Sequence, residues 1–339
     1  MPSKYLPAEG HQPMTTGTNG NLPNEDAGRR KRLLNILKIA ISLVGLLVIL
    51  WTQDVKEGVR LLLEMAWLPF GAALLLLLSG SLVRAYRWGS LVWALGVQVR
   101  WRRLVELYFV GSFFSQFLPT GVGGDAVKMY ELSRDDHKAA AAISSVLVDR
   151  FLGLFVLFAL ALLALAWGYR WVEPQERLLI ALVFAGSLIG LGLLWQRTWI
   201  EALGRGLGLD RLLGRIGILR ELYESLHLYG PTALLKATAA SIAWNLILVV
   251  GYYLLGLAVG IELEPWYYFL FVPLISAALL IPSVGGLGIR EGITVILFSQ
   301  VGVPESQALA LGLAYLLVLW THALIGAGLY FSQGLRETR

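Results

Sequence analysis

The chain of 339 residues is 57% hydrophobic and only 15% charged, with a mean hydropathy of +0.66. That composition excludes an ordinary soluble domain and fits a polytopic α-helical membrane protein. The absence of cysteine excludes disulfides, thiolate chemistry, iron–sulfur clusters and thiolate zinc. The net charge of +5 comes mostly from arginines at segment ends, where they set topology and meet anionic headgroups, so nucleic acid is not implied.

Residues 1–28, rich in proline and glycine and without apolar periodicity, read as a disordered cytoplasmic tail. A polytopic membrane domain is expected over 29–335, followed by a short cytoplasmic tail, 336–339. The basic cluster Arg29 to Arg32 precedes an apolar run, Leu33 to Trp51, which lacks a small-residue cleavage site and reads as an uncleaved first span. Further full spans are predicted over Met65 to Val83, Ala139 to Trp167, Leu178 to Trp195, Ala237 to Gly260 and Gln307 to Ser332.

Two more apolar runs are interrupted. Leu104 to Leu118 stops at Pro119, and Trp266 to Ile281 stops at Pro282; each resumes as a helix-compatible segment after a group of glycines. Backbone leaves helical geometry at bilayer depth only where it is buried in protein or lines a wet cavity. The two breaks therefore mark a polar pathway. Between the spans, 198–230 is the one sizeable polar connector, with an apolar stripe at helical spacing that describes an amphipathic cytoplasmic helix or a solvated linker helix. Tryptophans at predicted span ends, Trp67, Trp88 and Trp266 among them, read as an interfacial belt.

Orientation follows from the basic residues. With both termini cytoplasmic, most of them fall on the inside, Arg84 and Arg87 included, while the outer loops hold Lys56, Arg60, Arg170 and Arg177. The first broken run then enters and leaves from the inside and the second from the outside. The expected fold is all-α and integral to the cytoplasmic (inner) membrane, with about six full transmembrane helices and two opposed re-entrant helical hairpins. Such opposed hairpins are what an inverted repeat would give, with a site between them near the midplane.

Charged residues cluster at the breaks. Asp125 and Lys128 follow Gly121, Gly123 and Gly124 where the first broken helix restarts. Glycines there let N–H groups face a cavity, and the positive end of the restarting helix favours a phosphate or carboxylate. A plain alternative is that Asp125 caps the helix while Lys128 reaches to the interface. Arg290 and Glu291 hold the matching place after Gly285, Gly286 and Gly288, either as a phosphate-gripping arginine with its carboxylate or as an ion pair locking the hairpin. Asp149 and Arg150, early in the span that begins at Ala139, suit either the same cavity or an interfacial anchor. His322 in the last span is an interhelical hydrogen-bond partner or a proton carrier, and Arg84 and Glu106 read as interfacial.

Other motifs lack their context. A glycine pattern over Gly121 to Ala126 mimics a dinucleotide fingerprint, but no strand precedes it; no phosphate-binding loop of nucleotide hydrolases occurs, and neither does an H-E-x-x-H metal motif. No cofactor and no metal are expected.

In order along the chain, FLPTGVGGDAVKMYELSR, SSVLVDRFLGL and IPSVGGLGIREG resemble the flippase-like membrane domain shared by lysylphosphatidylglycerol synthases of the multiple-peptide-resistance type and their stand-alone relatives. The resemblance implies a bacterial or archaeal membrane protein that moves lipids or lipid-linked sugars between leaflets. It maps the family's Gly-Asp element to Gly124 and Asp125, the following basic residue to Lys128, the acidic-Arg pair to Asp149 and Arg150, and the Arg-Glu pair to Arg290 and Glu291. Lys128 stands where Arg is common and Asp149 where Glu is common, which weakens a bidentate phosphate grip at the first break. No soluble aminoacyl-transferring segment follows the last span, so lysylation of lipid is not expected.

The functional expectation is a flippase or scramblase, not an enzyme, in which a polar groove carries the headgroup of an anionic phospholipid or polyprenyl-phosphate-linked lipid. Gly123, Gly124, Asp125, Lys128, Asp149, Arg150, Arg290 and Glu291 would meet the headgroup, and Asp125, Glu291 and His322 are the candidate proton carriers. Two alternatives remain open: an integral membrane lipid-phosphate transferase, and a non-transporting partner that presents lipid-linked sugar to a glycosyltransferase. Expected partners are membrane lipids, with room for a glycosyltransferase and for homo-oligomerisation.

Overall fold

A computed structural model describes residues 55–117, 123–136, 139–195, 225, 228–281 and 283–337. Ten helices occur among them: α1 (Val55–Leu63), α2 (Trp67–Ala94), α3 (Trp101–Phe117), α4 (Gly123–Asp136), α5 (Ala139–Gly168), α6 (Pro174–Trp195), α7 (Pro231–Ala258), α8 (Pro265–Ala278), α9 (Ile289–Ser299) and α10 (Glu305–Glu337). No strand occurs among the described residues. The first predicted span, the tail 1–28, most of the 198–230 connector, and Pro119 and Pro282 themselves lie outside the described residues.

Five helices, α2, α5, α6, α7 and α10, are long and apolar enough to cross a membrane, which places a helix over each of the five later predicted full spans. At 1.5 Å per residue, the 28 residues of α2 extend about 42 Å, more than the hydrocarbon thickness. Outward faces carry strongly exposed leucines, including Leu68 at 86%, Leu75 at 70% and Leu324 at 68%, as surfaces turned to lipid do. Proline opens α6, α7 and α8, where a missing N–H costs nothing and the fixed φ suits a first turn.

The structure corrects the sequence reading at three places. α2 does not stop near Val83 but runs on to Ala94, so Arg84 and Arg87 lie inside the helix rather than past the end of a span. The physical reason is that Arg87 finds a carboxylate partner on α5, which removes the penalty that would end an apolar helix at a charge. Residues 55–63, read as loop, form α1, where Glu57 and, just past its end, Glu64 flank Arg60 at helical spacing. Trp88 is no interfacial anchor: it is fully buried, and its indole N–H donates to Ser145 Oγ at 3.1 Å.

Small residues set the helix packing. Gly80 of α2 lies under Trp244, where a methyl would come within 2.5 Å of the indole, and Gly251 of α7 lies against Leu77, so α2 and α7 approach closely. Trp88, Leu104, Tyr108 and Leu132 bind α2, α3 and α4 into one apolar cluster, which α5 joins through Ala142. A larger core centres on Tyr268, Phe271 and Phe298, where α8 and α9 meet. Each interrupted run is a helix, a break and a second helix: α3 packs on α4, and α8 on α9. The second break uses Gly285, Gly286 and Gly288 at φ 60°, 78° and 80°, conformations that glycine alone adopts without strain.

Candidate functional site

Both breaks open on one cavity of about 400 Å³, within the range of about 300–1,000 Å³ found for small-ligand sites. The breaks also touch. A methyl group on Gly285 would stand 3.1 Å from the Gln116 side-chain oxygen and 3.2 Å from its carbonyl oxygen, at the end of α3. Asp125 and Arg290, 165 positions apart in the numbering, therefore line a common space instead of opposite surfaces.

At the first break, Gly124 N–H donates to Ser115 Oγ at 3.1 Å and its Cα packs against the Gly111 carbonyl, which holds α4 tightly on α3. That contact presents Asp125, in the first turn of α4, to two cations. Lys128 Nζ approaches one carboxylate oxygen at 2.6 Å, and Arg150 Nε donates to the other. Lys128 does not reach an interface; it is buried, 4.4 Å from the centre of the Tyr108 ring. Gly123 is buried beside this group without lining the cavity.

Asp149 and Arg150 do not act together, because neighbours in a helix point about 100° apart. Asp149 instead accepts a fork from Arg87, Nε to Oδ1 and Nη2 to Oδ2, both at 2.6 Å. Ser241 Oγ accepts from Arg87 Nη1 at 3.4 Å, so the pair ties α2 to α5 and α7. Gly153 makes room: a methyl there would lie 2.8 Å from Arg87 Nη1.

At the second break, Arg290 is 4% exposed and donates from Nη2 to the Gly285 carbonyl at 2.9 Å, with its guanidinium 5.5 Å from the Tyr315 ring centre. Its Nε and Nη1 find no hydrogen-bond acceptor. Glu291 stands 3.7 Å away and uses its other oxygen to accept the Gly288 N–H at 2.7 Å, which caps α9. Glu291 packs against Gly312 and is not part of the cavity wall, unlike Arg290. His322 does line it; its ring nitrogens face the Val318 carbonyl at 2.8 Å and, across to α2, the Leu77 carbonyl at 3.4 Å.

Sequence reasoning passed over Arg84, Arg87, Tyr108, Trp244 and Tyr315, which all line the cavity. The signal was available for the arginines: the apolar residues Trp88, Leu91 and Val92 continue the helical period of α2 beyond them. Arg84 lines the cavity. Its guanidinium lies 4.8 Å from the Tyr108 ring centre and 4.7 Å from that of Trp244, and its Nε has no hydrogen-bond acceptor. Among the described residues, no group of three or more His, Asp or Glu side chains could hold a metal ion.

Comparison with known proteins agrees with this architecture. The chain is 22% identical over 321 residues to a UPF0104 membrane protein of Pyrococcus horikoshii, covering 86% of this chain and 94% of that one. It is 24% identical over 281 residues to a UPF0104 membrane protein of Methanothermobacter thermautotrophicus, covering 74% and 82% respectively. No solved structure matches it significantly. The family model for the lysylphosphatidylglycerol synthase TM region matches residues 35–326, most of the sequence. With its long apolar helices and that match, this is a multi-pass membrane protein whose family is consistent with a lipid-related role. The chain belongs to the family of the lysylphosphatidylglycerol synthase TM region.

Proposed function

We propose that the protein moves the headgroup of an anionic lipid between leaflets through the cavity, while the acyl or prenyl tails stay in the membrane. The observation that carries this reading is the charge of the wall. Arg84, Arg87, Lys128, Arg150 and Arg290 face it, against only Asp125 and Asp149 among the described residues. A charged group at the bilayer centre costs about 2.5–3.5 kcal/mol on insertion scales; cationic side chains replacing its hydration lower that barrier. In this reading the two broken runs are opposed re-entrant hairpins in the cytoplasmic membrane, and both termini are cytoplasmic.

Movement is downhill in this account. Asp125 is committed to Lys128 and Arg150, and Glu291 lies behind the wall, so of the three candidate proton carriers only His322 faces the cavity without a charged partner. The same commitment of Asp125 argues against the transferase alternative, which needs a carboxylate free to act as base. Reconstitution into vesicles with leaflet-labelled anionic lipids, phosphatidylglycerol in one set and a polyprenyl phosphate in another, tests the proposal, the faster-moving lipid serving for the variants. Wild-type protein should accelerate equilibration, and Arg290→Ala should slow it by about tenfold or more, as loss of a charged hydrogen bond of about 1.5–3 kcal/mol requires. No acceleration by the wild type, or full activity in Arg290→Ala, contradicts it. A lipid recovered with altered mass would favour the transferase.

A further inference from the structure

Two arginines of the cavity are set apart from the rest. Arg87, Lys128 and Arg150 each meet a carboxylate at hydrogen-bonding distance. Arg84 has no carboxylate partner among the described residues; the Tyr108 and Trp244 rings lie against its guanidinium. Arg290 has Glu291 only at 3.7 Å, beyond a hydrogen bond. Three guanidinium nitrogens, Arg84 Nε, Arg290 Nε and Arg290 Nη1, are consequently covered and lack an acceptor. Buried donors are almost always paired, so such a group calls for acceptor oxygens from another molecule. Both side chains line the same cavity, and Arg290 stands over the ring of Tyr315, another residue of its wall, at 5.5 Å.

We infer that Arg84 and Arg290, with Tyr315 beside Arg290, form a subsite for a terminal phosphate or diphosphate rather than for a phosphodiester. A phosphodiester offers two unesterified oxygens and one negative charge; a terminal phosphate offers three oxygens and up to two charges, one oxygen for each unpaired N–H group and charge to meet two guanidiniums that no carboxylate approaches within hydrogen-bonding distance. Delocalised guanidiniums held on aromatic faces suit this task, since they keep their charge and their planar fork while partly desolvated. Arg87–Asp149 and Asp125 with its two cations then brace the walls, and selection of the headgroup falls to the arginines without close carboxylates.

The inference rests on the headgroup reading above for the ligand's being a lipid, and equilibrium binding separates the two. The whole chain is placed in phosphatidylcholine nanodiscs at pH 8, and binding of labelled inorganic pyrophosphate is measured. Competitors are dimethyl phosphate, farnesyl phosphate, farnesyl diphosphate and phosphatidylglycerol. The expected result is saturable binding, with the terminal phosphate and diphosphate competing at concentrations about tenfold or more below those of the two diesters, and Arg84→Gln weakening pyrophosphate by about tenfold. Arg84→Lys, which keeps the charge without the fork, should fall between the two. The prenyl arms assign the source: a lipid ligand makes farnesyl diphosphate stronger than pyrophosphate, and a soluble anion makes them equal. The inference is overturned if the wild type shows no saturable binding, if the diesters compete as well as the diphosphate, or if folded Arg84→Gln binds unchanged. The ligand series on the wild type alone decides the case should the variants fail to fold. Selective binding without lipid movement would leave the subsite standing and remove the transport reading, whereas movement without selectivity would do the reverse.

Discussion

The Arg87–Asp149 pair offers the sharpest test of how charge is held inside this protein. Both side chains are 6% exposed, and they share two bonds of 2.6 Å that tie α2 to α5. Replacing Asp149 by Leu leaves the guanidinium with Ser241 at 3.4 Å as its remaining acceptor on another helix. Two charged hydrogen bonds at about 1.5–3 kcal/mol each bound the loss from above, and removal of one member of a buried pair typically costs about 3–5 kcal/mol. Neutral interhelical hydrogen bonds in membranes average only about 0.6 kcal/mol, so a value near 4 would mark the stranded charge rather than the lost bond. Asp149→Leu is therefore expected to cost about 3–5 kcal/mol in reversible unfolding from mixed micelles. The double variant Arg87→Met with Asp149→Leu, which removes both charges, should return to within about 1–2 kcal/mol of the wild type. An Asp149→Leu cost below 1 kcal/mol, or a double variant as unstable as the sum of the singles, would refute the reasoning.

Three further outcomes are expected. Gly124→Ala cannot keep α4 on α3, because its methyl would overlap the Gly111 carbonyl and Ser115 Oγ; a melting temperature lowered by several degrees checks this, and an unchanged one would mean the helices part without cost. Glu291→Ala removes the acceptor for the Gly288 N–H and the nearest counter-charge of Arg290. It should cost about 1–3 kcal/mol, whereas Glu291→Gln, whose amide oxygen can still accept, should keep most of the capping part of that. Arg290→Lys retains charge but loses the fork, so in the vesicle assay it should lie between the wild type and Arg290→Ala.

Much of the helical layout was legible in the sequence because apolar length is a strong signal: a run near 20 residues declares a span, and the five later spans each contain a long helix. The breaks were legible for the opposite reason, since proline and clustered glycine have few uses inside an apolar run. Pairing was not legible. Asp149 beside Arg150 looks like a pair in the sequence, yet helical geometry sends Asp149 to Arg87 and Arg150 to Asp125. Glu291 next to Arg290 looked like a cavity residue, but the first turn of α9 folds it back as a cap on Gly288. Arg84 and Arg87 read as inner-side residues past the end of a span because basic residues usually mark span ends, a rule that fails for Arg87, whose carboxylate partner Asp149 waits on a neighbouring helix.

The central claim is that the two breaks line one water-accessible space, and the chain's lack of native cysteine makes it directly measurable. Single cysteines at Ser115 and Ser276, which line or adjoin the cavity on α3 and α8, are compared in intact membranes with one at the outward-facing Leu75. The account predicts that a small charged thiol reagent modifies both cavity positions many times faster than Leu75→Cys, because thiolate forms only where water reaches. Modification of the cavity positions no faster than that of the lipid-facing control would mean the space is dry, and would contradict it.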